Sequence, residues 1–393
     1  MAKTFDGTAI FTGSTTLTRS LRAIATLRLV LGLTALLGAI VFLEGTSWDI
    51  QWHSYIGRDR TLIPPHIMML TGVALSGISG LLVVLIESWW ARRNKTITQY
   101  SLGFADIFSG PLGAYIIGFA ALTAAVAFPL DAYWHALYGI DVAIWAPFHI
   151  MFAASMGIVA LGVAYMLMSA VHLASTLGTT GSGIRRAATI GAVAALATVL
   201  SIFTLLLFDA LKNRNLIDLG FITISVFPLL SGILVAFTLV AAAYAIPWRW
   251  AATSVSVCYL FLAAIMAVYV QPATNWLLTV ERLQYREAPP STSVVALEWF
   301  LTPLVVAILI DVIMRRARRK QWSQRKLTPI LAFTALLSGA LPVVFIFPLL
   351  PALLVAQAGI GGYLVSLLVG LAGTFVGTYF GRNVGESISS SER

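Results

Sequence analysis

The sequence predicts an all-α, polytopic membrane protein of about ten transmembrane helices, with a parallel internal repeat in its N-terminal half. The 393 residues are 59% hydrophobic and only 10% charged, with a mean hydropathy of +0.89, whereas soluble domains carry about 25% charged residues. Many apolar runs are continuous and reach the roughly 20 residues that cross a bilayer, which disfavours a β-barrel. A polar motif near position 50 also recurs 82 positions later.

Ten apolar runs are the predicted spans. In order they cover 21–43, 65–90, 112–130, 147–174, 187–209, 220–245, 251–269, 293–314, 328–349 and 362–381. The first four form two hairpins of the same kind, each with its motif in the outer loop, and parallel repeats are a known membrane architecture. We therefore expect a tandem repeat over 1–180 and a six-helix scaffold over 181–393, joined by the flexible link Gly181-Ser182-Gly183.

Lysine and arginine favour the cytoplasmic side of short loops. Placing both termini in the cytoplasm puts 19 of the 25 basic residues inside, so both motif segments face outward. No short apolar segment with a cleavage site begins the chain, which predicts no cleaved signal peptide. Short loops and the lack of targeting signals favour a prokaryotic plasma membrane. The net charge of +9 reports this topology and indicates no nucleic-acid partner.

The recurring motif concentrates the histidines of the chain. Five residues of the first copy recur in the second: Asp49, Trp52, His53, Gly57 and Asp59 become Asp131, Trp134, His135, Gly139 and Asp141. One residue is then inserted, and Pro64-x-His66 becomes Pro147-x-His149. Four of the five histidines lie in the two copies, and histidine is the commonest metal ligand among side chains.

Each copy offers two imidazoles and a carboxylate. Asp49 and His53 are four residues apart, so on a helix they share a face, while His66 opens the next span just after prolines, which suit a helix start. A set of this kind suits copper, zinc or iron. Because these histidines lie at span ends, haem is disfavoured. The single cysteine, Cys258, excludes a disulfide or a thiolate cluster within one chain.

Other polar residues are candidates for supporting roles. Ionisable side chains at membrane depth are functional candidates by default. We expect six residues to support or line the site: Trp52, Trp134, Asp59, Asp141, Glu44 and Glu298. The competing interpretation makes the tryptophans interfacial anchors and the acidic residues helix caps. Glu87 and Asp311, near the other membrane face, are expected to be paired or to snorkel toward the membrane surface.

The pattern Asp49-x3-His53-x12-His66, with Trp52, Arg58-Asp59 and a proline before the last histidine, resembles a known segment. It is similar to the metal-binding segment of the C subunit of copper membrane monooxygenases, the particulate methane and ammonia monooxygenases. The resemblance implies copper ligation by Asp49, His53 and His66, and through the repeat by Asp131, His135 and His149. It also implies oxidative chemistry and partner subunits. The second copy departs from the pattern at Ile140 and by the inserted residue.

Three functions stay open on the sequence. The first is a copper-dependent membrane oxidoreductase, or a subunit of one, with one dinuclear or two mononuclear sites between the repeated spans. The second is a non-enzymatic metal acceptor, store or transporter. The third is a structural or assembly subunit of a membrane complex. The expected surroundings are the lipid bilayer, with either a homo-oligomer or other membrane subunits as partners.

Overall fold

The computed structural model describes residues 7–57, 62–139, 145–212, 216–297, 299–341 and 350–390. Its first half contains α1 (Gly7–Tyr55), α2 (Pro64–Arg93), α3 (Lys95–Thr98), β1 (Leu102–Phe104), β2 (Phe108–Gly110), α4 (Leu112–Tyr138), α5 (Pro147–Thr176) and a 3₁₀ turn (Gly178–Gly181). Its second half contains α6 (Ser182–Lys212), β3 (Leu216–Asp218), β4 (Thr223–Ser225), α7 (Phe227–Ala245), α8 (Ala251–Glu281), α9 (Val294–Leu297), α10 (Thr302–Arg319), α11 (Gln324–Ala335), α12 (Leu337–Ala340) and α13 (Leu350–Ser390).

The prediction of a largely helical chain is confirmed, and its long apolar helices are consistent with a multi-pass membrane protein. Within the described ranges, eight helices are long and apolar enough to cross a membrane, namely α1, α2, α4 to α8 and α13. They coincide with eight of the ten predicted spans. The predicted spans 293–314 and 328–349 fall on shorter helices, and the second also extends outside the described residues, so the count of ten stays a prediction.

The predicted span 293–314 is interrupted at 299–301, between α9 and α10. This segment nevertheless runs antiparallel to α8, because its later residues contact earlier residues of α8. Trp299 stacks on Tyr259 with ring centroids 4.8 Å apart. Ser256 Oγ donates to Pro303 O at 3.1 Å, nearer the start of α8. Non-helical backbone at membrane depth is tolerated where protein buries it, so this course fits a broken membrane-crossing segment.

The four long helices of the N-terminal half pack in a symmetric pattern. α1 pairs with α2 and α4 with α5, while α1 also contacts α5 and α2 contacts α4. If the α1–α2 hairpin exchanges places with the α4–α5 hairpin, the set of contacting helix pairs is unchanged. A parallel repeat requires this symmetry. Glycines allow the close approach inside each hairpin: a Cβ at Gly72 would lie 2.5 Å from Gly38 O, and one at Gly113 would lie 2.4 Å from Gly162 O.

Two short antiparallel β-hairpins were not expected in an all-α chain. Leu102 faces Gly110 in the first, and Leu216 faces Ser225 in the second. Residues 220–226, predicted as the start of a span, belong mostly to the second hairpin and the turn after it. The expected flexible link is ordered: Gly181 ends a 3₁₀ turn, and Ser182 and Gly183 begin α6. Gly181 is buried, and a Cβ there would lie 2.0 Å from Ala174 O.

The last helix packs along α7 through its glycines. Cβ atoms at Gly373, Gly377 and Gly381 would meet the carbonyl oxygens of Leu229, Ile233 and Phe237, at 2.7, 2.5 and 2.4 Å. Because both series of numbers ascend together, the two helices run parallel. α13 also bends at Gly359, whose φ is 70°.

A buried ion pair joins helices near the end opposite the motifs. Arg28 and Glu87 are both fully buried, and the guanidinium holds both carboxylate oxygens, with Nε–Oε1 at 2.7 Å and Nη2–Oε2 at 2.8 Å. Arg28 also donates to Ser169 and to Tyr100 O. The expected pairing of Glu87 is therefore present. Arg28 is one of the 19 basic residues that the predicted topology places on the cytoplasmic side, but it is a buried partner within the bundle and not a surface charge.

Among the described residues, the Asp311 carboxylate is held by backbone amides and by the Thr253 hydroxyl, and no arginine side chain pairs with it. Its carboxylate accepts from Ala252 N at 3.2 Å and from Thr253 N at 2.8 Å. These are first-turn amides of α8, which have no partner within their own helix. Asp311 therefore caps α8 from a neighbouring helix.

Candidate metal centre

The first candidate centre lies where α1 ends and α2 begins. Asp49 Oδ1 lies 3.0 Å from His66 Nε2 and 3.4 Å from His53 Nε2. The two imidazole centroids are 5.9 Å apart. Asp49, His53 and His66 each offer a ligand atom, and these atoms lie within 4.8 Å of one another. The structure thus brings together all three residues that the sequence predicted for this copy.

The second centre repeats this arrangement at the end of α4 and the start of α5. Asp131 Oδ2 lies 3.3 Å from His135 Nε2, and Oδ1 lies 3.3 Å from His149 Nε2. The imidazole centroids are 5.6 Å apart. The three ligand atoms again lie within 4.8 Å of one another. The inserted residue in this copy does not prevent the same grouping.

These separations fit a small transition-metal ion. Ligand atoms bound at about 2.0–2.1 Å stand about 2.9 Å apart at right angles and about 3.4 Å apart at the tetrahedral angle. The oxygen–nitrogen distances of 3.0–3.4 Å lie within that interval. Asp49 Oδ1 and Asp131 Oδ1 are buried, and each lies beside an imidazole nitrogen, that of His66 or of His149. Buried polar atoms normally have a partner, and one cation in each centre would satisfy the aspartate oxygen together with the imidazole nitrogens.

The second centre also orients one ligand for binding. His135 Nδ1 lies 3.2 Å from Gly139 O. With Nδ1 protonated it donates to that carbonyl, and Nε2 keeps its lone pair toward Asp131. A hydrogen bond from the far nitrogen to a backbone carbonyl is a usual support of a metal-binding histidine.

Local sequence explains why each centre forms at a helix end. Asp and His four residues apart lie on one face in the last turns of α1 and of α4. Gly57 and Gly139 then follow with φ of 65° and 85°, a conformation in which glycine carries no Cβ penalty. Prolines start the next helices, so the second histidine returns within reach of the aspartate. This accounts for the recurring glycine of the motif.

The described ligands form two groups of three and do not merge into one cluster. An aromatic wall connects them. Phe128, three residues before Asp131, meets the His66 ring edge to face at 6.0 Å and packs against Phe152 at 6.4 Å. Phe152 itself lies three residues after His149 in sequence. Two mononuclear centres that share an apolar wall therefore fit the geometry better than one dinuclear centre.

The two centres differ in how far neighbouring residues shield them from the outside. The segment 282–293 reaches the first motif, where Arg286 N donates to Tyr55 O at 3.0 Å and Arg286 Nη2 donates to Gly57 O at 3.2 Å. His66 is 13% exposed, whereas His149 is 29% exposed. The second centre is accordingly more accessible from outside the protein.

The expected supporting residues are placed differently from one another. Trp52 is buried in the core and not at an interface, whereas its counterpart Trp134 is half-buried and contacts Tyr138 with ring centroids 4.4 Å apart. Glu44 is 3% exposed and is not a member of either group. Its carbonyl oxygen accepts from Tyr269 of α8, and its carboxylate accepts no hydrogen bond from the described residues. Asp59, Asp141 and Glu298 lie outside the described residues.

Sequence reasoning missed two contributors to this region, whereas the outer loop with Arg286 was expected to cap the outer face and does reach the first motif. Phe128 belongs to no recurring pattern, so nothing in the sequence marked it. Gln51 is fully buried, donates to Gln271 on α8 and accepts from Val294 N at 2.9 Å. Amide side chains near the ends of apolar helices are a signal that could have found this pair.

No protein family model, curated protein or solved structure matches this sequence.

Proposed function

We propose that this protein is a multi-pass membrane protein that binds two metal ions, preferentially copper, and acts as a copper-dependent oxidoreductase or as a subunit of one. One observation carries the proposal: in both copies an aspartate and two histidines converge at metal-ligand separations. Such a set suits copper, zinc or iron. The choice of copper and of oxidative chemistry rests on the sequence resemblance. We place the centres at the outer face of a prokaryotic plasma membrane, with both termini in the cytoplasm.

Each residue of a centre has a defined task in this proposal. The two imidazoles supply neutral nitrogen ligands, and the aspartate supplies the negative charge that offsets part of the charge of the cation. Copper held in this way would supply one-electron redox chemistry with a coordination position left open. The aromatic wall formed by Phe128 and Phe152 excludes water from one side of the first centre.

Elemental analysis of the purified full-length protein tests the proposal. We expect about two copper ions per chain in the wild type, and none when His53, His66, His135 and His149 are all replaced by alanine. His172→Ala is the matched control, because His172 is the one histidine outside the motifs. Zinc or iron at the same stoichiometry would keep the binding sites and change the metal. Metal retained in the fourfold variant would refute the sites.

A metal-free wild type whose fourfold variant is equally stable would contradict metal binding. The motifs would then be structural, and a role as an assembly subunit would replace the proposal. Copurification would then show whether the chain assembles with other membrane subunits or with a second copy of itself.

A second candidate function is metal handling without catalysis. The greater exposure of His149 favours it, because an accessible centre exchanges its ion more readily. Transport across the bilayer would require polar groups along the path. Uptake of labelled copper into vesicles that contain the purified protein would distinguish a transporter from an oxidoreductase. We expect binding without uptake.

A further inference from the structure

A groove on the outside of the bundle lies far from the metal centres, between residues 19–31 of α1 and the last turns of α2. Its volume is about 570 Å³, within the range of small-molecule pockets. One stripe of α1 and one stripe of α2 line it. The α1 stripe includes Arg19, Arg22, Thr26 and Val30, and the α2 stripe consists of Leu82, Ile86 and Trp90.

The charged end of the groove has no counterion among the described residues. Arg19 and Arg22 are exposed, and neither forms an ion pair or side-chain hydrogen bond within the described ranges. Arg28, two turns further along α1, contrasts with them because Glu87 neutralises it. Two uncompensated guanidinium groups favour an anionic oxygen ligand such as a phosphate.

The rest of the groove is apolar and has the length of one leaflet. From Arg22 to Leu31 the helix rises about 14 Å, close to half of the roughly 30 Å hydrocarbon thickness of a bilayer. Trp90 packs against the cluster that contains Leu21 and Ile24, beside the charged end, and tryptophan is enriched at the membrane interface. Along the groove, the two arginines, Trp90 and the apolar wall therefore follow the same order as the phosphate, the interfacial region and the acyl chain of a phospholipid.

We propose that this groove binds one anionic phospholipid from the leaflet on the N-terminal side. Its phosphate contacts Arg19 and Arg22, and one acyl chain lies against Val30, Leu82 and Ile86. The occupant is a lipid and not a free phosphate, because most of the lining is hydrocarbon that only an acyl chain would cover. This site is independent of the metal centres.

Native mass spectrometry of the full-length protein with phosphatidylglycerol or phosphatidylcholine tests the charge recognition. We expect one tightly retained phosphatidylglycerol, and binding about 30-fold weaker in the double variant Arg19→Gln/Arg22→Gln. Arg185→Gln/Arg186→Gln is the matched control, since these arginines are exposed at the start of α6 and do not line the groove. Equal loss in both double variants, or equal binding of phosphatidylcholine by the wild type, would overturn the proposal.

A second measurement tests the acyl-chain path. Phosphatidylglycerol with a photoreactive diazirine on one chain should crosslink to residues 26–31 and 82–86. Thr26→Trp should fill the groove and abolish both retention and crosslinking without changing any charge. An unchanged size-exclusion profile and unfolding temperature in detergent show that each variant is folded, whether or not the metal centres are occupied. Crosslinks confined to other helices, or displacement of the lipid by millimolar inorganic phosphate, would contradict a lipid in this groove.

Discussion

Two aspartates organise the four motif histidines. Asp49 is the common neighbour of His53 and His66, and Asp131 is the common neighbour of His135 and His149. The aspartate in each centre is therefore the residue whose charge both imidazoles share. Replacing it with asparagine keeps the shape of the side chain and removes the charge.

Asp131→Asn should remove the ion of the second centre and leave that of the first. We expect the affinity at the second centre to fall by more than about 100-fold, beyond the 10- to 100-fold typical of residues that only support a ligand. Metal titration followed by elemental analysis measures it. Asp106→Asn, an exposed substitution in a hairpin turn, is the control. Two ions bound with wild-type affinity would contradict the ligand role.

Glu87→Ala should destabilise the fold strongly, because it leaves Arg28 buried without its carboxylate partner. Removing one partner of a buried pair costs about 3–5 kcal/mol. The double variant Arg28→Met/Glu87→Met should be less destabilised than Glu87→Ala. Thermal unfolding in detergent measures both, with the exposed Arg92→Gln as the control. A double variant less stable than the single one would show that the pair contributes net stability.

Close backbone contact holds α13 on α7. Glycine is required there because the carbonyl oxygens of α7 occupy the space of a Cβ. In a membrane, helices associate through such packing and not through the hydrophobic effect. The tightness of the interface therefore depends on which glycines face it.

Gly377→Ala should destabilise the protein by about 1–3 kcal/mol, the usual range for overpacking. Its Cβ would lie 2.5 Å from Ile233 O. Gly361→Ala, on the same helix with nothing within 4 Å of the added Cβ, should be neutral or stabilising by about 0.5–1 kcal/mol. Thermal unfolding of both variants decides the matter. Equal effects would mean that the contact with α7 does not set the stability.

The course of the chain through the membrane depends on α10 and α11. If both segments cross, the turn between them lies on the same side as the N-terminus. If neither crosses, that turn lies on the opposite side. The contacts of Trp299 and Pro303 along α8 favour crossing.

Labelling of single cysteines in intact cells tests this course. In a Cys258→Ser background, Gln321→Cys should react only after the membrane is permeabilised. Ser291→Cys, which lies in the exposed segment before α9, should react without permeabilisation. Labelling of both positions from outside would favour eight crossings, and labelling of Ser291→Cys only after permeabilisation would reverse the orientation.

Sequence reasoning succeeded where one local rule governs the outcome. Continuous apolar length predicted the eight long helices, and the spacing of Asp49 and His53 predicted their shared helix face. The Arg28–Glu87 contact could not be paired in advance, because tertiary packing alone brings together two residues 59 positions apart. The break after α9 was missed because hydropathy measures apolar character and not backbone conformation. Three-residue strands are likewise too short for a pattern of alternation.

The parallel contact of α7 with α13 has a consequence for biosynthesis. A ribosome completes α7 more than a hundred residues before it begins the glycine-bearing half of α13. During that interval the matching surface of α7 faces lipid or the insertion machinery. We expect docking of the last helix to be the final assembly step, so chains released early would expose an unmatched helix face to membrane quality control.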